Sequence, residues 1–159
     1  MTHRAKVLTV SDGVHEGVRI DRSGAALAER LADSGFDVVE CRVVADGVAS
    51  VQGALLDMSA HFTGLIVTTG GTGFGPRDLT PEGTRSVIER SAPGLAEAMR
   101  QASNREGPFG MLSRGVCGTA GRALICNLPG SESGALECLE VILPAVGHIL
   151  ELLAGGRPH

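Results

Sequence analysis

Apolar residues along this chain fall alternately into short β-branched runs and into stretches with helical spacing. AKVLTV (5–10) is a compact apolar run that ends at Ser11-Asp12-Gly13, which predicts a buried strand. SGAALAERLADSG (23–35) follows, with Leu27 and Leu31 on one helical face, Ser23 or Asp21 near the N-cap and Gly35 as a stop. FDVVECRVV (36–44) reads as a second strand. Val48, Val51, Leu55, Met58 and Phe62 then advance by threes and fours, the period of a helix. TGLIVTT (63–69) is a third strand, and its near-continuous hydrophobicity predicts burial on both faces.

Farther on, Thr80-Pro81-Glu82 carries the marks of a helix start: a capping hydroxyl, a proline in the first turn and a carboxylate near the positive end. A further helix is predicted over 93–103, and RGVCG (114–118) and RALICNL (122–128) read as two short strands joined at Thr119-Ala120-Gly121. The last helix is expected to begin near Ser133 and to stop at Gly155-Gly156. Its Leu136, Leu139, Leu143, Val146, Leu150 and Leu153 recur at heptad spacing, flanked by Val141, Ile142, Ile149 and Leu152. This broad stripe suits either the core or an oligomer interface. Pro144 should kink the helix, because its ring removes one hydrogen bond and crowds the preceding turn. Strand–helix alternation of this kind predicts an α/β fold with a mostly parallel sheet and helices on both faces. The length of 159 residues fits a single domain over 1–159.

The third strand runs into the most unusual stretch, GGTGFGPRD (70–78), with four glycines in six positions. In an open parallel sheet, ligands bind beyond the carboxyl ends of the strands. Glycines there let backbone N–H groups approach a ligand without Cβ obstruction, and successive N–H groups form a concave anion site. Phosphate is the natural guest. The loop lacks the Gly-Lys-Ser/Thr of a Walker A motif, and glycines 71, 73 and 75 do not have the dinucleotide spacing. Asp78 complicates the picture, because a carboxylate repels phosphate unless a cation intervenes. It either holds a divalent metal against phosphate oxygens, contacts a donor-rich part of the ligand, or caps the helix at Pro81. Asp46 and Asp12, after the second and first strands, raise the same choice. Three aspartates at three strand ends fit a metal–phosphate site better than any one alone.

Composition narrows the alternatives. With 43% apolar and 20% charged residues and no apolar run near the roughly 20 residues of a bilayer span, neither a disordered chain nor a membrane protein is expected. The N-terminal apolar stretch is too short for a signal peptide, so a cytoplasmic location is expected. A net charge of −4, no basic block and no Tyr or Trp argue against nucleic-acid binding. Cys41, Cys117, Cys126 and Cys138 have no metal spacing and read as buried small hydrophobes. The five histidines, His3, His15, His61, His148 and His159, are dispersed, and His148 is expected to be packed.

Together TVSDGVHEGVRIDRSG (9–24), TTGGTGFGPRDLTPE (68–82), LSRGVCG (112–118) and NLPGS (127–131) resemble the molybdopterin adenylyltransferases of molybdenum cofactor biosynthesis, the MogA/MoaB family. The resemblance runs across nearly the whole chain. It implies a three-layer α/β/α sandwich, assembled as a homotrimer or hexamer. It also implies Mg²⁺-dependent transfer of AMP from ATP to the terminal phosphate of molybdopterin, with release of pyrophosphate, and a molybdenum insertion enzyme as a partner. On this chain Gly70, Gly71, Thr72 and Gly73 would hold a pterin phosphate, and Asp78 and Asp46 would be the essential acids, either of them on the Mg²⁺. Ser11 and Asp12 would line the pterin side, while Ser113 and the turn Pro129, Gly130, Ser131 would complete the nucleotide and phosphate surroundings. Arg77 or Arg114 would assist. One departure stands out: the family commonly has proline after this turn, and here Glu132 follows Ser131. A carboxylate there weakens anion binding if it points inward and is favourable if it sits at a helix N-terminus. The competing functions are a non-catalytic molybdopterin carrier or scaffold, and a hydrolase of pyrophosphate bonds.

Overall fold

Each predicted strand finds apolar partners on the faces that its side chains present. The computed structural model describes residues 2–157, so His159 lies outside the described residues. The order is β1 (Arg4–Val10), α1 (Asp12–His15), α2 (Arg22–Asp33), β2 (Asp37–Val44), α3 (Val48–Ser59) and β3 (Gly64–Thr69). Then come α4 (Thr80–Arg85), β4 (Arg90–Ser91), α5 (Pro93–Ser103), two 3₁₀ turns (Asn104–Glu106 and Pro108–Leu112), β5 (Cys117–Ala120), β6 (Ala123–Leu128) and α6 (Glu132–Leu153).

The six strands form one sheet in the order β2-β1-β3-β6-β5-β4. β1 pairs in parallel with β2 and β3, and β3 with β6, while β5 runs antiparallel to both β6 and β4. The mostly parallel sheet is therefore as expected, with an antiparallel margin. Side chains alternate cleanly across it. Ala5, Val7, Leu65, Val67, Leu124 and Cys126 meet the layer that includes α2, α5 and α6. Leu8, Val10, Ile66 and Ile125 meet α3 on the other face, and α3 in turn packs on α4. The result is three layers, α/β/α. Fully burying one such Leu or Ile contributes about 1.5–3 kcal/mol, so the two apolar seams together hold the sheet between its helices.

Several expectations change in detail. Asp21, not Ser23, caps α2, its Oδ1 accepting from Gly24 N at 2.9 Å. Ser131 caps α6, which starts at Glu132, one residue before the expected Ser133. The β5–β6 turn centres on Gly121, at φ 57°, and the segment 114–116 stays outside the sheet. Pro144 lies inside α6, as the sequence places it, and the helix runs on to Leu153. The buried positions of α6 are Ala135, Cys138, Leu139, Ile142, Val146 and Leu150, so its stripe serves the core; Leu136, Leu143 and Leu153 pack at its margin. Cys41, on the edge strand β2, is exposed, and the other three cysteines are buried. His148 is also exposed, lying off the buried side of α6. None of the described helices is long and apolar enough to cross a membrane.

Candidate functional site

The carboxyl ends of β1, β2, β3 and β6 bring together most of the residues singled out in the sequence. At the centre is the loop after β3. Gly70 has φ 101° and Gly71 φ 68°, conformations that favour glycine. A Cβ on Gly70 would stand 2.2 Å from the Val10 carbonyl oxygen, so the loop can lie against β1 only without a side chain there.

The four carbonyls of the loop are all tied down from behind. Gly70 O accepts from the Thr80 hydroxyl at 2.9 Å and Gly71 O from the Thr80 amide at 3.1 Å. Thr72 O accepts from the Arg114 amide at 2.9 Å and Gly73 O from Arg114 Nε at 2.8 Å. The amides of Gly71, Thr72 and Gly73 make no hydrogen bond among the described residues. A row of peptide groups with occupied acceptors and free donors is an anion seat.

Thr80 reads in the sequence as the cap of a helix whose positive end faces the ligand. Instead the N-cap is Leu79 with no side-chain bond, and α4 is only six residues long. The Thr80 hydroxyl staples the loop. Arg114 has a related part: beyond its two loop bonds, Nη2 donates to the Asp78 carbonyl at 2.6 Å and the guanidinium pairs with Glu82. That pairing holds the Glu82 carboxyl below its usual value and raises Arg114 above its own. With its donors taken up in this way, Arg114 shapes the loop from behind.

The three aspartates have separate surroundings. Asp78 Oδ2 accepts from Gly75 N at 2.8 Å, closing the loop rather than capping α4, and its Oδ1 makes no hydrogen bond among the described residues. Asp46 Oδ2 accepts from the Asp12 amide at 2.9 Å, so Asp46 does not cap α3; Gly47 holds that position. Its Oδ1 also has no such bond and lies 3.3 Å from where a Cβ on Gly71 would stand. Asp12 accepts from the Asp46 amide at 3.1 Å and from Arg77 Nε and Nη2 at 2.5 and 3.0 Å. Hydrogen bonding to Arg77 holds the Asp12 carboxyl below its usual value. Among the described residues no group of three or more His, Cys, Asp or Glu side chains is arranged to hold a metal. Of the three aspartates, Asp46 and Asp78 each keep one carboxylate oxygen without a hydrogen bond among the described residues.

Two cavities flank the loop. The larger, about 840 Å³, includes Ser11, Asp46, Gly70, Gly71, Asp78 and Gly130 in its lining, with Arg19 and Arg22 from the α2 approach. The smaller, about 520 Å³, includes Thr72, Gly73, Ser113 and Pro129, with Met99, Arg100, Phe109 and Leu112. Ser131 borders both. Ser11 caps α1, Oγ accepting from Val14 N at 3.2 Å, and the Ser113 hydroxyl accepts from Gly115 N at 3.3 Å. Glu132 lies both in the first turn of α6 and in the lining of the larger cavity, so the two alternatives for it coincide. Asp12 and Arg77 line neither cavity.

Sequence reasoning missed Arg19, Arg22, Met99, Arg100 and Phe109. The two arginines had a signal in their nearness to SDG and IDRSG; the 93–112 residues had none beyond helical spacing. It also missed Asn127, which is buried at the end of β6. Asn127 Nδ2 donates to the hydroxyls of Thr68 and Thr84 at 3.0 Å each, and its Oδ1 accepts from Val116 N at 3.1 Å. This knot holds the 114–116 segment against the tips of β3 and β6.

Fold and loop together define a class: an open α/β-sheet protein with a main-chain anion seat at the strand ends, bordered by two carboxylates. The chain belongs to the family described as the probable molybdopterin binding domain, whose model matches residues 6–148. A molybdopterin adenylyltransferase of Helicobacter pylori is 38% identical over 94% of this chain and 86% of its own length. The solved molybdopterin biosynthesis Mog protein of Mycobacterium ulcerans superposes with a TM-score of 0.89 at 42% identity, covering 98% of this chain and 99% of its own. The solved molybdopterin biosynthesis enzyme MoaB of Thermus thermophilus also gives 0.89, at 44% identity, covering 97% and 98%. These agree with the MogA/MoaB resemblance carried by the motifs.

Proposed function

We propose that this protein is a molybdopterin adenylyltransferase of molybdenum cofactor biosynthesis. A terminal phosphate oxygen of molybdopterin attacks the α-phosphorus of ATP, the bond to the β-phosphate oxygen breaks, and pyrophosphate leaves. The observation that carries this reading is the loop 70–73, its carbonyls bound from behind and its amides bare in front, beside two carboxylates that each keep one oxygen free. The Helicobacter relative's name supports the same reaction.

Both reactants are anions, so catalysis is chiefly alignment and charge neutralisation. Gly70 makes the turn, and the amides of Gly71, Thr72 and Gly73 grip the pterin phosphate. The Pro129-Gly130-Ser131 turn and the N-terminus of α6 offer a second seat for phosphate. Ser11 lines the larger cavity and Ser113 the smaller. Asp46 and Asp78 are the catalytic acids. Asp46 or Asp78, which both line the larger cavity, would hold Mg²⁺, because a small hard cation is commonly held by one or two carboxylates together with substrate phosphates. When bound, it supplies charge neutralisation for the triphosphate and the departing pyrophosphate. The reading also comprises one domain over the whole chain, a cytoplasmic location, a homotrimer or hexamer, and transfer of the product to a molybdenum insertion enzyme.

A second reading, a pterin-binding carrier or scaffold without turnover, is favoured by Glu132, which adds negative charge to the lining of the larger cavity. Incubation of the purified protein with molybdopterin, ATP and Mg²⁺ separates the two. Adenylylated pterin and pyrophosphate in equal amounts are expected. Pterin binding without either product overturns the enzyme in favour of the carrier.

A further inference from the structure

The family resemblance places Asp12 on the pterin side of the site, yet its carboxylate is fully engaged elsewhere. Oδ1 accepts from the Asp46 amide at 3.1 Å and from Arg77 Nη2 at 3.0 Å, and Oδ2 accepts from Arg77 Nε at 2.5 Å. The Asp12 amide donates to Asp46 Oδ2 at 2.9 Å, and Arg77 Nη2 also reaches the Asp46 carbonyl at 3.0 Å. These hydrogen bonds join three separate pieces of chain: the first turn after β1, the tip of β2 and the far side of the glycine loop.

The arrangement has two physical consequences. Asp46 is held through its amide, its carbonyl and one carboxylate oxygen, which leaves Oδ1 toward Gly71. The Arg77 guanidinium also lies on the one aspartate that faces neither cavity, so the Asp12 charge is balanced before it can oppose an incoming phosphate. We infer that Asp12 and Arg77 are positioning residues: they form a brace that holds Asp46 in place against the phosphate-gripping loop. The catalytic consequence rests on the adenylyltransferase reading; the brace itself does not.

The test uses Asp12→Asn, Arg77→Ala and the double variant in the full chain. Asparagine keeps an oxygen for the Asp46 amide but loses the charge that pairs with Arg77. Each single variant is expected to lower kcat by roughly ten- to a hundredfold, the scale of a small misplacement of a reacting group. KM for ATP and molybdopterin should change little. The double variant should be no worse than the singles, because all cut the same link. Multiplying effects, or a raised KM for molybdopterin with unchanged kcat in Asp12→Asn, overturn the brace and make Asp12 a ligand contact. Amide hydrogen exchange on the same proteins gives a readout independent of turnover. The Asp46, Gly75 and Asp78 amides should exchange faster in Arg77→Ala, and unchanged exchange refutes the brace. If the wild-type protein forms no adenylylated pterin while exchange responds as stated, the adenylyltransferase reading fails and the brace stands.

Discussion

Gly71→Ala tests the architecture of the anion seat. The residue has φ 68°, and alanine in this left-handed region costs about 1 kcal/mol more than glycine. Its Cβ would stand 2.2 Å from the Thr80 hydroxyl oxygen, in a residue that is 0% exposed. Thr80 must then rotate and give up its 2.9 Å bond to the Gly70 carbonyl. A buried polar group left without its partner costs about 1–3 kcal/mol. The expected loss is about 2–4 kcal/mol, which for a chain of this size lowers Tm by about 4–16 °C. The chain has no Trp or Tyr, so urea unfolding is best followed by far-UV circular dichroism. Thr80→Ala removes the obstruction, and adding it to Gly71→Ala should cost at least about 1 kcal/mol less than the sum of the singles. A loss below about 1 kcal/mol for Gly71→Ala, or strict additivity with Thr80→Ala, would refute the reasoning.

Asp78→Asn should abolish measurable adenylylation while costing about 1 kcal/mol of stability, because asparagine still accepts from Gly75 N but without a charge. A loss above about 3 kcal/mol in urea unfolding would make the residue structural first. Glu132→Gln should lower KM for ATP or molybdopterin, as a negative charge leaves the cavity lining, and cost about 0.3–1 kcal/mol at the start of α6. Steady-state kinetics decide this, and an unchanged KM would place the carboxylate away from the anions. The Glu82–Arg114 pair predicts a pH effect. Arg114 depresses the folded-state value of Glu82 from its usual 4.5, so the pair's support of the loop is present above that value. It fades as pH falls through the depressed folded value. Acid unfolding of Glu82→Gln should therefore lack one component seen in wild type, and superimposable curves would contradict it.

Much of the fold was legible because its strands are long enough to show their period. β1, β3 and β6 are near-continuous apolar runs, and α2 and α3 repeat by threes and fours. The elements that escaped are too short for periodicity: the four residues of α1, the two of β4 and the 3₁₀ turns at 104–112. The sharp bends of the glycine loop were legible because its composition states its geometry. What holds it was not. Thr80 reads as a cap and Arg114 as a catalytic aid until the structure turns both toward the loop carbonyls. Asp12, Asp46 and Asp78 look equivalent as strand-end acids. They differ only in which backbone amides and guanidinium they meet, and those partners lie 34 and 65 residues away for Asp12.

Where the turn after β6 passes the loop after β3, a Cβ on Gly130 would stand 3.3 Å from the Cα of Gly70. The two turns thus meet backbone to backbone in the wall of the larger cavity, which both glycines line. A methyl group added at Gly130 would press on the Gly70 Cα, whereas one at Gly70 would collide with the Val10 carbonyl and shift the loop itself.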